Sequence, residues 1–136
     1  MPDSICVDAS LVVALVQDEP ASTRIDALWT KWATEGRRLV APRILRFEVA
    51  GVLDRKVRAG ELDRSLARMA LSAAEALATA IDQVEITGGL ETAWDVAGAY
   101  RLGLLDACYL AIARQENAML WTLDREFARR TRGKTP

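Results

Sequence analysis

Two hydrophobic periods alternate along the chain. Short, nearly continuous apolar runs fall at residues 4–8 (Ser4-Ile5-Cys6-Val7-Asp8), 38–41 (Arg38-Leu39-Val40-Ala41), 83–87 and 118–123. Their length suits strands buried on both faces. Between them lie longer segments with three-to-four spacing; Ala21, Ile25, Leu28, Trp29, Trp32 and Ala33 form one such stripe on a helix over 22–36. The same reading predicts helices over 11–16, entered through Ser10, and over 43–59, after Pro42. Gly60 then separates 43–59 from a helix at about 62–80, so these two form a hairpin. Further helices are predicted at about 90–102 and 106–116, with a basic one at the end. Strands alternating with amphipathic helices point to an α/β fold with a mostly parallel, twisted central sheet flanked by helices on both sides. Residues 132–136 (Arg132-Gly133-Lys134-Thr135-Pro136) are expected to fray.

At 136 residues and 51% hydrophobic content, the chain suits one domain, 1–136, around one core. No apolar run approaches the roughly 20 residues of a membrane span, and Met1-Pro2-Asp3-Ser4 lacks the features of a signal peptide, so a cytoplasmic protein with no membrane partner is expected. Cys6 and Cys108 stand in apolar contexts without a CxxC spacing and read as buried thiols. There is no histidine, which excludes Ser-His-Asp and Cys-His nucleophilic chemistry, haem ligation through histidine and histidine-bearing zinc sites. Any catalysis falls to carboxylates and a cation.

Four carboxylates interrupt or border apolar segments: Asp8, Glu48, Asp106 and Asp124. An ionised group in such a place is costly unless it is compensated. Asp8 and Asp124 stand at strand exits, where each could simply cap the following helix, and Asp106 admits the same reading. Ser10 competes with Asp8 for its cap, which would leave the aspartate freer to bind something else. Glu48 lies mid-helix among Ile44, Leu45, Val52 and Leu53, where capping is not available. Arg46, two residues away, points elsewhere on a helix, so Glu48 needs another partner or a cation. Asp106 heads the stripe Asp106, Tyr109, Leu110, Ala113, which turns its carboxylate inward.

Acids with no histidine or thiolate among them form a hard-oxygen donor set, suited to Mg²⁺ or Mn²⁺. Such a site can polarise a phosphodiester and activate water. Ligands of open α/β sheets bind beyond the carboxyl ends of strands, where Asp8 and Asp124 are expected. The net charge of −1 conceals a local balance of +5 over residues 37–58 and +4 over residues 125–136. These basic segments are either solvated helix faces or a hold for a polyanion whose phosphates reach the acids.

The fragments Val7-Asp8-Ala9-Ser10, Ala41-Pro42 with Phe47-Glu48-Val49, Tyr100-Arg101-Leu102-Gly103-Leu104-Leu105-Asp106-Ala107-Cys108-Tyr109-Leu110-Ala111, and Leu120-Trp121-Thr122-Leu123-Asp124 occur in this order over nearly the whole chain. In these pieces the chain resembles the PIN-domain ribonucleases, specifically the VapC toxins of type II toxin–antitoxin pairs. The resemblance implies a three-layer α/β/α fold and a Mg²⁺- or Mn²⁺-dependent endoribonuclease. By matching position it implies Asp8, Glu48, Asp106 and Asp124 as metal-binding, catalytic acids, with Ser10 and Thr122 as hydroxyls that orient carboxylates or water. Arg43, Arg46, Arg125 and Arg129, from the two basic segments, are the candidate RNA contacts. A VapB-like antitoxin that occludes the site, an RNA substrate and a homodimer are the implied partners. The departures are Leu105, where an aromatic residue often precedes the aspartate, and Ser10 in place of a common asparagine; neither removes a ligand.

Two alternatives compete. A metal-binding phosphatase or receiver-like domain also builds an acidic pocket on a parallel sheet, but Ser10 stands where such a phosphatase needs a second aspartate, and Lys31, Lys56 and Lys134 do not fit the lysine of a receiver. A catalytically silent PIN-fold interaction module would be expected to lack one of the acids, and all four are present. Trp29 and Trp32 on one helix face either fill the core or line a groove for an antitoxin helix, while Trp121 reads as packing.

Overall fold

The structure, a computed structural model, describes residues 3–136. The first two residues of the predicted unit, Met1 and Pro2, lie outside the described residues. Four strands, β1 (Ser4–Val7), β2 (Arg38–Pro42), β3 (Asp82–Val84) and β4 (Ala118–Trp121), form one parallel sheet in the order β3-β2-β1-β4. The register pairs Ile5 with Leu39 on one side of β1 and with Met119 on the other. β1 is therefore central, and its Ile5, Cys6 and Val7 are sealed from water, as an all-parallel sheet requires.

Seven helices connect and cover the strands: α1 (Ala9–Val16), α2 (Ser22–Thr34), α3 (Leu45–Arg58), α4 (Arg64–Ala78), α5 (Gly89–Tyr100), α6 (Leu104–Gln115) and α7 (Arg125–Thr131). Helices α1, α3 and α4 pack on one another, while α6 lies across β1, β2 and β4 and carries α5 outside it. The result is a three-layer α/β/α fold. The predicted hairpin is formed by α3 and α4, turned by Gly60 at a positive φ of 74°. Buried alanines 67, 70, 74 and 78 give α4 a narrow, small-residue stripe that lets it approach its neighbours closely.

Helix α6 is buried continuously from Ala107 to Ala113. A helix apolar all round must be enclosed on all sides. Here Tyr109, Ile112 and Ala113 join the main core, and Ala107, Leu110 and Ala111 pack beneath α5 around Val96. α5 and α6 meet at a bend of 102°, turned at Arg101, whose φ of 54° is left-handed. No single helix among the described residues is long and apolar enough to cross a membrane.

Several boundaries differ from the sequence expectation. Helix α1 begins at Ala9, capped by Asp8 rather than Ser10. Strand β3 ends at Val84 instead of residue 87, because the chain turns through Gly88 and Gly89, both at positive φ, into α5. Helix α6 starts two residues before Asp106. Residues 132–136 were expected to fray, yet the Lys134 amide donates to the Leu120 carbonyl at 2.8 Å and its carbonyl accepts from the Thr122 amide at 3.0 Å. Gly133 makes this approach possible, since a Cβ there would meet the Leu120 carbonyl oxygen at 3.0 Å.

The tryptophans divide. Trp32 is only 3% exposed and packs edge-on against Trp121, with ring centroids 5.3 Å apart. Trp29 sits beside it at 6.0 Å but is only partly buried, and Trp94 is exposed. Trp32 is thus a core residue and not the lining of an open groove. Trp32→Ala should cost about 3 to 5 kcal/mol in urea unfolding, whereas Trp94→Ala should change stability by less than about 0.5 kcal/mol.

Candidate functional site

The strand order reverses at β1: the chain steps outward from β1 to β2 and β3, then returns to place β4 on the other side of β1. In open parallel sheets this switch point is where the connections diverge and leave a crevice beyond the carboxyl ends. Asp8 directly follows β1 there, and Thr122, Leu123 and Asp124 directly follow β4.

The two strand exits are tied together by hydroxyl groups. The Ser10 hydroxyl donates to Asp8 Oδ1, and Ser10 Oγ accepts from the Leu123 amide at 3.0 Å. The Ser10 amide also donates to Asp8 Oδ1 at 3.0 Å. Thr122, fully buried, accepts from the Asp124 amide at 3.0 Å, and its hydroxyl lies near enough to Asp8 to lower that carboxyl's proton affinity. Ser10 thus ties the Asp8 carboxylate to the β4 exit, with Thr122 beside it. Even so, burial dominates over these bonds and pushes Asp8 up from 3.8 to about 6.

Glu48 and Asp106 come from the helices. Glu48 lies in the first turn of α3 and is half-buried. It is not a cap: Oε1 is sealed from solvent and has no hydrogen-bond partner. Burial raises its proton affinity, and the nearby Asp106 raises it further, against lowering by Tyr109 and Arg55. Asp106, in the first turn of α6 behind Gly103 as the cap residue, is raised by partial burial and then by Asp124. Asp124 caps α7 through Oδ1, which accepts from the Phe127 amide at 3.0 Å. Capping is therefore real for Asp8 and Asp124 but does not account for Glu48 or Asp106.

The acids sense one another in sequence, Glu48 with Asp106 and Asp106 with Asp124, while Asp8 and Glu48 both act on the Tyr109 phenol between them. No group of three or more Asp, Glu or Cys side chains among the described residues is drawn together tightly enough to hold a metal ion as it stands. Like charges with no counter-charge between them gain nothing by closing up. The donor set is all carboxylate oxygen, which suits a hard cation, and Glu48 has one oxygen, Oε1, sealed and without a partner.

The candidate RNA contacts are differently placed. Arg46 makes a bidentate pair with Glu75, Arg129 one with Glu126, and Arg43 reaches Glu85 at 3.3 Å. Arg125, next to Asp124, has no acidic partner among the described residues. Sequence reading placed Tyr109 on the inward stripe of α6 but gave it no role. The available signal was a phenol in a run of aliphatic and small residues, one turn beyond Asp106.

The raised Asp8 carboxyl has a stability consequence. Between about pH 4 and 6 the native state keeps the Asp8 proton that the unfolded chain has already released; above that range the native carboxylate bears the full cost of its burial. The metal-free protein therefore loses stability through Asp8 as pH rises through this window. Asp8→Asn, which keeps an acceptor for Ser10, should be more stable than wild type by up to about 3 kcal/mol at pH 7 without divalent metal, and this gap should close towards pH 4. Thermal unfolding of both proteins across pH measures it.

The PIN domain family matches residues 5–133. Among solved structures, PAE2754 from Pyrobaculum aerophilum is 25% identical with a TM-score of 0.73, over 97% of this chain and 82% of that one. VapC20 of Mycobacterium tuberculosis, a toxin that cleaves the sarcin–ricin loop, is 23% identical with a TM-score of 0.70, over 93% of this chain and 94% of that one. A search of curated proteins gave no match. With the family covering nearly the whole length, and the parallel sheet and its switch-point acids in place, the chain belongs to the PIN domain family.

Proposed function

We propose that the protein is a Mg²⁺- or Mn²⁺-dependent endoribonuclease and the toxin of a toxin–antitoxin pair. The observation that carries this reading is that Asp8 and Asp124 follow β1 and β4 at the switch point of the sheet while Asp106 is felt by Glu48 and Asp124 by Asp106, with the proton affinity of Asp8, Glu48 and Asp106 raised by burial. Such groups are held at a cost to folding, which is expected where chemistry rather than stability selects them.

In this reading the four carboxylates hold the divalent ion. Once bound, it would polarise the scissile phosphodiester and lower the pKa of the attacking water. The protein's own share is positioning. Ser10 holds Asp8 in one orientation and couples it to the Leu123 amide, and Thr122 holds the Asp124 amide, so the two loops that carry Asp8 and Asp124 are positioned together. Asp124 spends Oδ1 on the α7 cap and has its second oxygen to offer. With no histidine in the sequence, proton transfer from water falls to the carboxylates.

Arg125 is the basic group best placed to meet a phosphate beside Asp124, while Arg43, Arg46 and Arg129 would have to exchange an acidic partner for the RNA backbone. The likeness to VapC20 supports RNA as the substrate and a VapB-like antitoxin as a partner that occludes the site. Exposed Leu90 and Trp94 on α5, with Phe47 on α3 and Leu105 on α6, supply apolar surface of the kind that a partner or a second copy covers. A receiver or haloacid-type phosphatase does not agree with the family match, and a silent PIN module leaves four retained acids without a reason.

Purified protein should cleave RNA when Mg²⁺ or Mn²⁺ is supplied and stop on addition of chelator. Asp106→Asn should lower the cleavage rate about a hundredfold or more with little loss of stability. Cleavage that survives both chelation and Asp106→Asn would defeat the proposal.

A further inference from the structure

We propose that Tyr109 is a positioning residue for Glu48: its buried hydroxyl holds one carboxylate oxygen, so that the other is turned to the divalent ion. This rests on the metal-dependent reading above and extends it to a residue outside the acidic set.

Tyr109 is only 1% exposed and its ring belongs to the main core. Its hydroxyl nevertheless has no hydrogen-bond partner of good geometry. A buried hydroxyl left unpaired costs about 1 to 3 kcal/mol, so packing alone would favour phenylalanine. One complementary group beside it is equally orphaned: Glu48 Oε1, sealed from solvent and unpartnered. The two adjoin closely enough for the phenol to act on the acid, although neither meets the geometry of a formed bond. A hydrogen bond between these two buried orphans would satisfy both, and a charge bound at the outer oxygen of Glu48 supplies a reason to make it.

The backbone holds the phenol where this requires. Tyr109 lies one turn beyond Asp106 on α6, and its carbonyl accepts from the Cys6 thiol on β1 at 3.5 Å, two residues before Asp8. The ring is thereby fixed relative to Asp106 and Asp8, with its hydroxyl close enough to Glu48 to act on it. Glu48 is only half-buried, and only Oε1 is both sealed and unpaired, which leaves the second oxygen on the open side.

The test measures Mn²⁺ binding by calorimetry and thermal unfolding without metal, in wild type, Tyr109→Phe, Glu48→Gln and the double variant. Tyr109→Phe should bind Mn²⁺ about tenfold or more weakly, with an unchanged or higher unfolding temperature, and its effect on affinity should vanish in the Glu48→Gln background. Unchanged affinity in Tyr109→Phe, with or without a fall in unfolding temperature, overturns the positioning role and leaves the metal reading intact. An affinity loss of the same size with Glu48→Gln already present also overturns it, since Tyr109 would then act elsewhere. Wild type that takes up no Mn²⁺ overturns both.

Discussion

The architecture turns on the cost of keeping a carboxylate away from water at the end of the central strand. Asp8 is 7% exposed, and every feature around it reduces that cost in part: the amide and hydroxyl of Ser10, the hydroxyl of Thr122, the open end of α1. None removes it, since burial still outweighs the bonds. The same groups that soften the penalty also join the β1 and β4 exits, because Ser10 bonds both Asp8 and the Leu123 amide. Geometry of the site and continuity of the sheet edge are thus set by one small network, and a change to either loop is felt by both.

Helix α6 is the second determinant. It is enclosed by the sheet below and α5 outside, so its rotation about its own axis is fixed by packing on all faces. That rigidity aims Asp106 and Tyr109 from successive turns of one helix. α3, which follows β2, brings Glu48 within the influence of Asp106 and Tyr109. Acids carried on enclosed helices, Glu48 and Asp106, are placed more precisely than acids on loops, and of the two at strand exits Asp124 is the exposed one.

Much of this was legible in the sequence, for identifiable reasons. The strands at Ser4–Val7 and Ala118–Trp121 are short apolar runs closed by an aspartate, and each aspartate lies where the chain leaves the sheet. Glu48 could be recognised because a carboxylate in an apolar helical stripe has no local remedy. The competition expected between Ser10 and Asp8 resolves the other way: the aspartate caps the helix and the serine supports the aspartate, a choice set by where β4 arrives and not by local sequence. The role of Tyr109 was hidden because its partner lies 61 residues away in sequence on another helix. The ion pairs of Arg43 and Arg46 with Glu85 and Glu75 were equally hidden in a local charge balance, which counts charges within a segment and misses long-range partners, whereas Arg129 and Glu126 pair three residues apart within one segment.

The return of the chain alongside β4 has a consequence for behaviour in concentrated solution. Exposed strand edges carry rows of free amides and carbonyls that recruit other chains. Lys134 occupies that row beside Leu120 and Thr122, and Gly133 allows the close fit. Among the described residues, the bare margin of the sheet is then β3, three residues long, opened by charged Asp82 and followed by Glu85. A margin so short and so charged is a poor template for growth, and this protein is guarded against edge-to-edge aggregation at both limits of its sheet.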